Sequence, residues 1–132
     1  MHRYPGMRPK DEALWDEFVN NNRDAFDDCY YDVHIGEPEA DPRKKSAMLA
    51  TGMYEVSQWC VDVVARSGDA IYVIEIKPDA GPGALGQALA YKKLLVLEGK
   101  VPKNAIPLVL TDSISPILQK AADELGVLVW VA

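Results

Sequence analysis

Very little in this sequence would staple a small domain or carry it into a bilayer. Two cysteines among 132 residues, Cys29 and Cys60, build no disulfide framework. Both fall in segments that read as strands, so buried, unbridged thiols are expected rather than a bridge or a metal pair. No apolar run reaches the ~20 residues of a membrane-spanning helix. Residues 1–10 are basic, contain two prolines and lead into no apolar stretch, which is not a signal-peptide pattern. These absences predict a reducing, cytoplasmic setting with no membrane partner. At this length one domain over residues 1–132 is expected, with 1–10 as an extended arm that packs on the body or reaches a partner.

Positive charge is scarce too. Fourteen Lys and Arg face 20 Asp and Glu, a formal net charge of −6, where a nucleic-acid surface ordinarily carries a basic footprint. The imbalance is local. Residues 1–41 hold eleven acids against four Lys and Arg (−7), and residues 42–132 hold nine against ten (+1). The larger part of the chain is therefore near neutral, and one bound divalent cation would make it locally positive.

Apolar spacing supplies the elements. Leu14, Trp15, Phe18 and Val19 recur at helical intervals over residues 11–22, with acids in the first turn and an asparagine run at the end. Asp11 and Glu12 flank the apolar face, whereas Asp16 and Glu17 point away from it. Tyr30, Tyr31, Val33 and Ile35 make residues 29–35 a strand. A lone His34 there reads as a surface or hydrogen-bonded residue rather than a ligand. A polar loop over 36–45 carries the densest basic cluster, Arg43, Lys44 and Lys45, before a segment at 46–54 that reads as a helix or a flap. That cluster suits either phosphate contact or plain solvation. Farther on, residues 84–97 form an apolar helix closed by Gly99, expected to be buried between the sheet and its neighbours. Residues 106–110 form a strand with Pro107 near its start. Ser115-Pro116 opens a helix that Gly126 closes, and residues 127–131 form a last strand parallel to the one before.

The centre of the chain holds charge where a core sheet should not. Residues 59–65 and 71–77 are apolar strands joined by Ser67-Gly68-Asp69, a hairpin turn. Asp62 interrupts the first strand, and Glu75 and Lys77 share one face of the second. Pairing about Gly68 brings Asp62 opposite or diagonal to Glu75. Buried ionised groups are costly unless paired or bound to a cation. A salt-bridged cluster at a strand end and a divalent metal site both answer that cost.

Asp62, twelve intervening residues and then Glu75-Ile76-Lys77 resemble the PD-(D/E)XK nuclease superfamily, whose fold is restriction-endonuclease-like. Gln87 and Tyr91, one helical turn apart, are similar to the Gln-x-x-x-Tyr element of its RecB-like branch. Val61 stands where the name-giving proline would be, and Glu75 replaces the aspartate usual in that branch. Neither change removes a ligand.

The resemblance implies an α/β fold with an αβββαβ core, a mixed central sheet flanked by helices, here extended by a further αβ unit at the C-terminus. It implies a Mg2+-dependent deoxyribonuclease in which Mn2+ can substitute. Asp62, Glu75 and the Ile76 backbone carbonyl would be metal ligands, Lys77 would orient water or phosphate, and Gln87 and Tyr91 would position those groups. Family members often place a glutamate of the first helix near the metal, and Glu12 is the corresponding position, although a helix-dipole role serves it equally. DNA is the implied partner and RNA stays open. The acidic balance invites a homodimer or a protein partner supplying basic surface, and it motivates a rival role as an assembly component, for instance of a phage particle, which would place the chain in a host cytoplasm or a virion.

Overall fold

The computed structural model describes residues 4–36, 43 and 59–132. Three helices and five strands are present among them: α1 (Pro9–Asn21), β1 (Asp28–His34), β2 (Cys60–Ser67), β3 (Ala70–Ile76), α2 (Pro82–Leu97), β4 (Ile106–Thr111), α3 (Pro116–Leu125) and β5 (Leu128–Val131). The strands form one sheet in the order β1-β2-β3-β4-β5. The first three are antiparallel, and β4 and β5 join parallel, through α2 and α3. This is an α/β fold with a mixed sheet, in the element order that the sequence and the resemblance implied.

Strand alternation divides the core. On one face Val63, Ala65, Ile74, Ile76, Leu108 and Leu110 pack under α1, which contributes Leu14, Trp15 and Phe18. Trp15 is fully buried, and Phe18 stacks on Trp130 of β5 at 5.0 Å between ring centroids. Burying side chains of this size contributes roughly 1.5–3 kcal/mol each, so α1 is held by its aromatic stripe rather than by capping. On the other face Ala84, Leu85 and Ala88 of α2 meet Val109 of β4 and Ala122 of α3, and Leu95 meets Val73 of β3.

Several boundaries differ from expectation. Proline at the first helical position starts α1 at Pro9, so the expected arm shortens. Within it Met7 joins the core, and the Tyr4 hydroxyl donates to Asp16 at 2.8 Å. Regular pairing in β3 stops at Ile76, one residue before Lys77, whose backbone N–H still donates to the Leu110 carbonyl at 2.9 Å. Helix α2 is buried on one side only: Gly86, Gln87 and Leu97 are exposed. Its alanines let one face sit close to the sheet, and this leaves the other face outward. Pro107 lies at the second position of β4, an interior strand, where a missing N–H is tolerated at the strand start. Gly126 ends α3 in the left-handed region at φ 75°, which accounts for a glycine there. Both cysteines are half-buried rather than fully buried, and neither is in a disulfide. No helix among the described residues is long and apolar enough to cross a membrane.

Candidate active site

The β2–β3 register runs Val63↔Ile74 and Val64↔Val73. Continued one step, it sets Asp62 across from Glu75. The Ile76 N–H donates to Asp62 Oδ2 at 2.9 Å, which ties the first carboxylate to the strand that carries the second. Glu75 is 5 % exposed, a buried acid on a strand whose other residues are all apolar or aromatic. The Gln87 side-chain amide, reaching down from α2, donates to Glu75 Oε2 at 3.2 Å. Glu75 Oε1 is buried and meets no N–H or hydroxyl donor among the described residues, and the Glu75 and Asp62 carboxyl groups hydrogen-bond to each other.

These groups open into a cavity of about 270 Å³ lined by Asp62, Glu75, Ile76, Lys77, Gln87 and Ala84 on the sheet and α2 side, and by Gly6, Arg8 and Asp11 at the start of α1. A second depression adjoins it and shares Arg8, Asp11 and Lys77, adding Lys10 and Pro78. Lys77 is exposed at the rim. Its backbone is fixed by the turn that follows β3, which is clamped to the end of β4. The Asp79 N–H donates to the Asp112 carboxylate at 2.7 Å, the Ser113 hydroxyl donates to Asp79 at 2.9 Å, and buried Thr111 accepts from the Ala80 N–H at 3.1 Å. Asp79 adopts φ 48°, a conformation that a short polar side chain bonded in this way tolerates.

Electrostatically the site is short of positive charge. Burial, then the neighbouring Asp11 and Asp32 carboxylates, push Asp62 up to about 6 against the hydrogen bonds from the Ile76 N–H and the Glu75 carboxyl group. Burial and the adjacent Asp62 push Glu75 up to about 9. Asp11 is raised as well, by burial, although Arg8 and Lys77 oppose the shift. Carboxylates held this close in a dry cleft repel one another and shed charge by binding protons. A hard divalent cation answers the same need. It takes oxygen ligands, it would meet the buried Glu75 oxygen, and two or three carboxylates with a backbone carbonyl suit it. The donor set present therefore fits Mg2+ or Mn2+.

Asp62, Glu75, Ile76, Lys77 and Gln87, drawn from three separate segments, come together in this cavity. Tyr91 does not line it. That ring is half-buried one turn along α2, stacked on Trp59 at 6.2 Å, and its hydroxyl is raised by burial and then by Glu75. Glu12 is likewise absent from the lining, and Asp11 holds the place expected of it. Both acids flank the apolar face, about 100° apart on the helix, and the side of α1 that faces the cavity is Asp11's. Arg8 also lines the cavity, and a lone arginine before a proline carries no sequence pattern that would single it out. Arg43 is exposed, while Lys44, Lys45 and the segment at 46–54 lie outside the described residues.

No protein-family model matches this chain, and no curated protein matches it in sequence. Two solved structures are similar to it. A structure of EndoMS in complex with double-stranded DNA superposes over 100 % of this chain and 48 % of its own, at 16 % identity and a TM-score of 0.55. A repair endonuclease from Pyrococcus abyssi covers 74 % of this chain and 49 % of its own, at 19 % identity and a TM-score of 0.49. The chain thus spans about half the length of these neighbours. At such identities the likeness concerns the fold, and the fold of this chain is restriction-endonuclease-like.

Proposed function

We propose that this chain is a divalent-metal-dependent nuclease that hydrolyses phosphodiester bonds in DNA. The observation that carries the proposal is Glu75 Oε1, a buried acid oxygen that meets no N–H or hydroxyl donor among the described residues and has another carboxyl group, Asp62, as its neighbour in a cleft that also holds Asp11. An interior ion pair would have satisfied that atom; a cation site leaves it open. The EndoMS structure, which has the same fold and holds double-stranded DNA, supports the choice of substrate.

When bound, Mg2+ would polarise the phosphate and yield a nucleophilic water at neutral pH. Asp62, Glu75 and the Ile76 carbonyl would hold it, with Asp11 beside them. Gln87 fixes Glu75 by its Oε2 atom and so decides which oxygen is presented. Lys77, exposed one residue past β3, suits orientation of the attacking water and neutralisation of charge developing on phosphorus. Arg8 and Lys10, along the adjoining depression, supply phosphate contacts that lead the backbone to the cavity. Tyr91, stacked on Trp59, acts at one remove, by supporting the α2 surface that carries Gln87.

The test is cleavage of labelled single-stranded, duplex and branched DNA, and of RNA, with Mg2+ or Mn2+, beside Asp62→Ala and Lys77→Ala. Metal-dependent cleavage of DNA, strongly reduced in both variants and most in Asp62→Ala, is the expected result. The net charge of −6 favours the rival role of an assembly component. Absence of cleavage on every substrate, with no Mg2+ or Mn2+ binding by calorimetry, would establish that rival instead.

A further inference from the structure

A second constellation lies one step along the β1–β2 ladder. The pairs Tyr31↔Val63 and Val33↔Val61 bracket Asp32, setting it across from Asp62, and His34 pairs directly with Cys60. Opposed residues of an antiparallel pair project to the same side, and residues two apart on a strand share a face. His34 and Cys60 therefore stand beside the candidate active site without belonging to it, and none of Asp32, His34 and Cys60 lines the cavity.

One ligand atom from each of the three lies within 4.8 Å of the other two. Cys60 Sγ is 3.3 Å from His34 Nδ1. With Zn–S near 2.3 Å and Zn–N near 2.0–2.1 Å, tetrahedral zinc spaces its ligand atoms by about 3.5 Å. One pair is already at that spacing, and the third group needs a shift of only about an ångström.

Backbone geometry at Asp32 favours a built site over a chance meeting. Asp32 adopts φ 53° in the middle of a strand, a left-handed conformation that interrupts the ladder at one residue. The chain opposite makes room for it. Gly6, itself at φ 76°, approaches so closely that a Cβ there would stand 2.5 Å from the Asp32 carboxylate oxygen. The strained residue thus turns an oxygen donor to the place where a nitrogen and a sulfur donor already meet. The strand end is anchored from outside, since the Lys100 ammonium donates to the His34 carbonyl at 2.9 Å.

We propose that Asp32, His34 and Cys60 bind a thiophilic divalent cation of the Zn2+ class, at a site distinct from the oxygen-only site of Asp62 and Glu75. Thiolate, imidazole and carboxylate are a borderline-soft set that selects Zn2+ over Mg2+, whereas the carboxylate–carbonyl set selects the reverse. Binding releases the thiol proton to solvent and joins β1 to β2 through the metal. Three protein ligands leave a fourth position for water or an incoming anion.

The experiment is a titration of the whole, metal-stripped chain with Co2+ as the spectroscopic probe, followed by displacement with Zn2+ and with excess Mg2+. The expected result is one equivalent giving tetrahedral d–d bands and a thiolate-to-cobalt charge-transfer band, removed by Zn2+ and retained in Mg2+. Cys60→Ser should abolish the charge-transfer band, and His34→Ala should weaken Co2+ binding on the order of tenfold or more. Cys29→Ser and Glu75→Gln should leave both unchanged, which separates this site from the proposed nuclease centre whether or not the chain cleaves DNA. Circular dichroism checks that the variants are folded. A purely octahedral spectrum, or a charge-transfer band that survives Cys60→Ser, would overturn the proposal.

Discussion

The two ends of β2 treat charge in opposite ways. Near the hairpin turn, Arg66 meets Asp28 at 2.6 Å and Asp27 at 3.4 Å, all three side chains roughly half exposed, and the Gly68 N–H donates to the same Asp27 carboxylate. Each charge there has an opposite partner and water. Four residues earlier Asp62 lies among Glu75, Asp11 and Asp32, and among the described residues the positive charge lining that cleft comes from Arg8 and Lys77. Satisfied charge at a surface tells of register and solubility. Unsatisfied charge in a cleft costs stability, and its persistence points to a ligand.

Substitutions can break that contrast. The largest effect is expected at the cleft: Asp62→Ala or Glu75→Gln should lower metal-dependent cleavage on the order of 10³-fold, read as single-turnover rates on labelled duplex. Retention of most of the rate would remove the carboxylate pair from the mechanism.

Stability against pH comes next. Asp62 and Glu75 titrate near 6 and near 9 in the folded chain but near 4 when unfolded. Between those values the folded state binds more protons, so the metal-free chain should lose stability as pH rises from about 4 to about 9. Mg2+ should restore most at the alkaline end, and Glu75→Gln should flatten the upper part of the profile and raise the metal-free melting temperature by roughly 5 °C at pH 8. Calorimetric melting at several pH values reads this directly, and a flat wild-type profile would contradict the cost assigned to the pair.

Smaller effects sharpen the comparison. Lys77→Ala should reduce kcat about 10²-fold while leaving KM near its original value. Arg8→Ala should weaken duplex binding several-fold and reduce the salt slope by about one, which anisotropy across a salt series measures. Arg66→Ala, at the balanced end, should leave cleavage unchanged and the melt close to wild type. Equal damage from Arg66→Ala and Arg8→Ala would erase the distinction between the two ends.

Much of this was legible in the chain itself. Residues two apart on a strand and four apart on a helix share a face whatever the rest of the protein does, so Glu75 with Lys77, and the Asp62–Glu75 opposition about Gly68, followed from local periodicity and one turn. Capping residues served equally well: Ser115, Pro116 and Gly126 bound α3 where expected. The exposure of Gln87 was not legible, because an alanine-rich helix looks apolar on every side until a sheet selects one.

Positions drawn together from separate elements were beyond reach. Asp11 and Glu12 stand on either flank of the apolar stripe of α1, and the packing of that helix on the sheet, with Trp15 buried and Phe18 against Trp130, brings Asp11 and not Glu12 to the cavity. His34 read alone is a surface histidine and Cys60 read alone is a core thiol. The β1–β2 register makes them neighbours, and a left-handed Asp32 admitted by Gly6 completes their set. Sequence by itself determined the strands, the helices and the acids that interrupt them, because those depend on short-range sterics and spacing. Tertiary structure alone decided which acids meet, which oxygen is left without an N–H or hydroxyl donor and where sulfur joins nitrogen, because such contacts depend on packing angles and register between segments far apart in the chain.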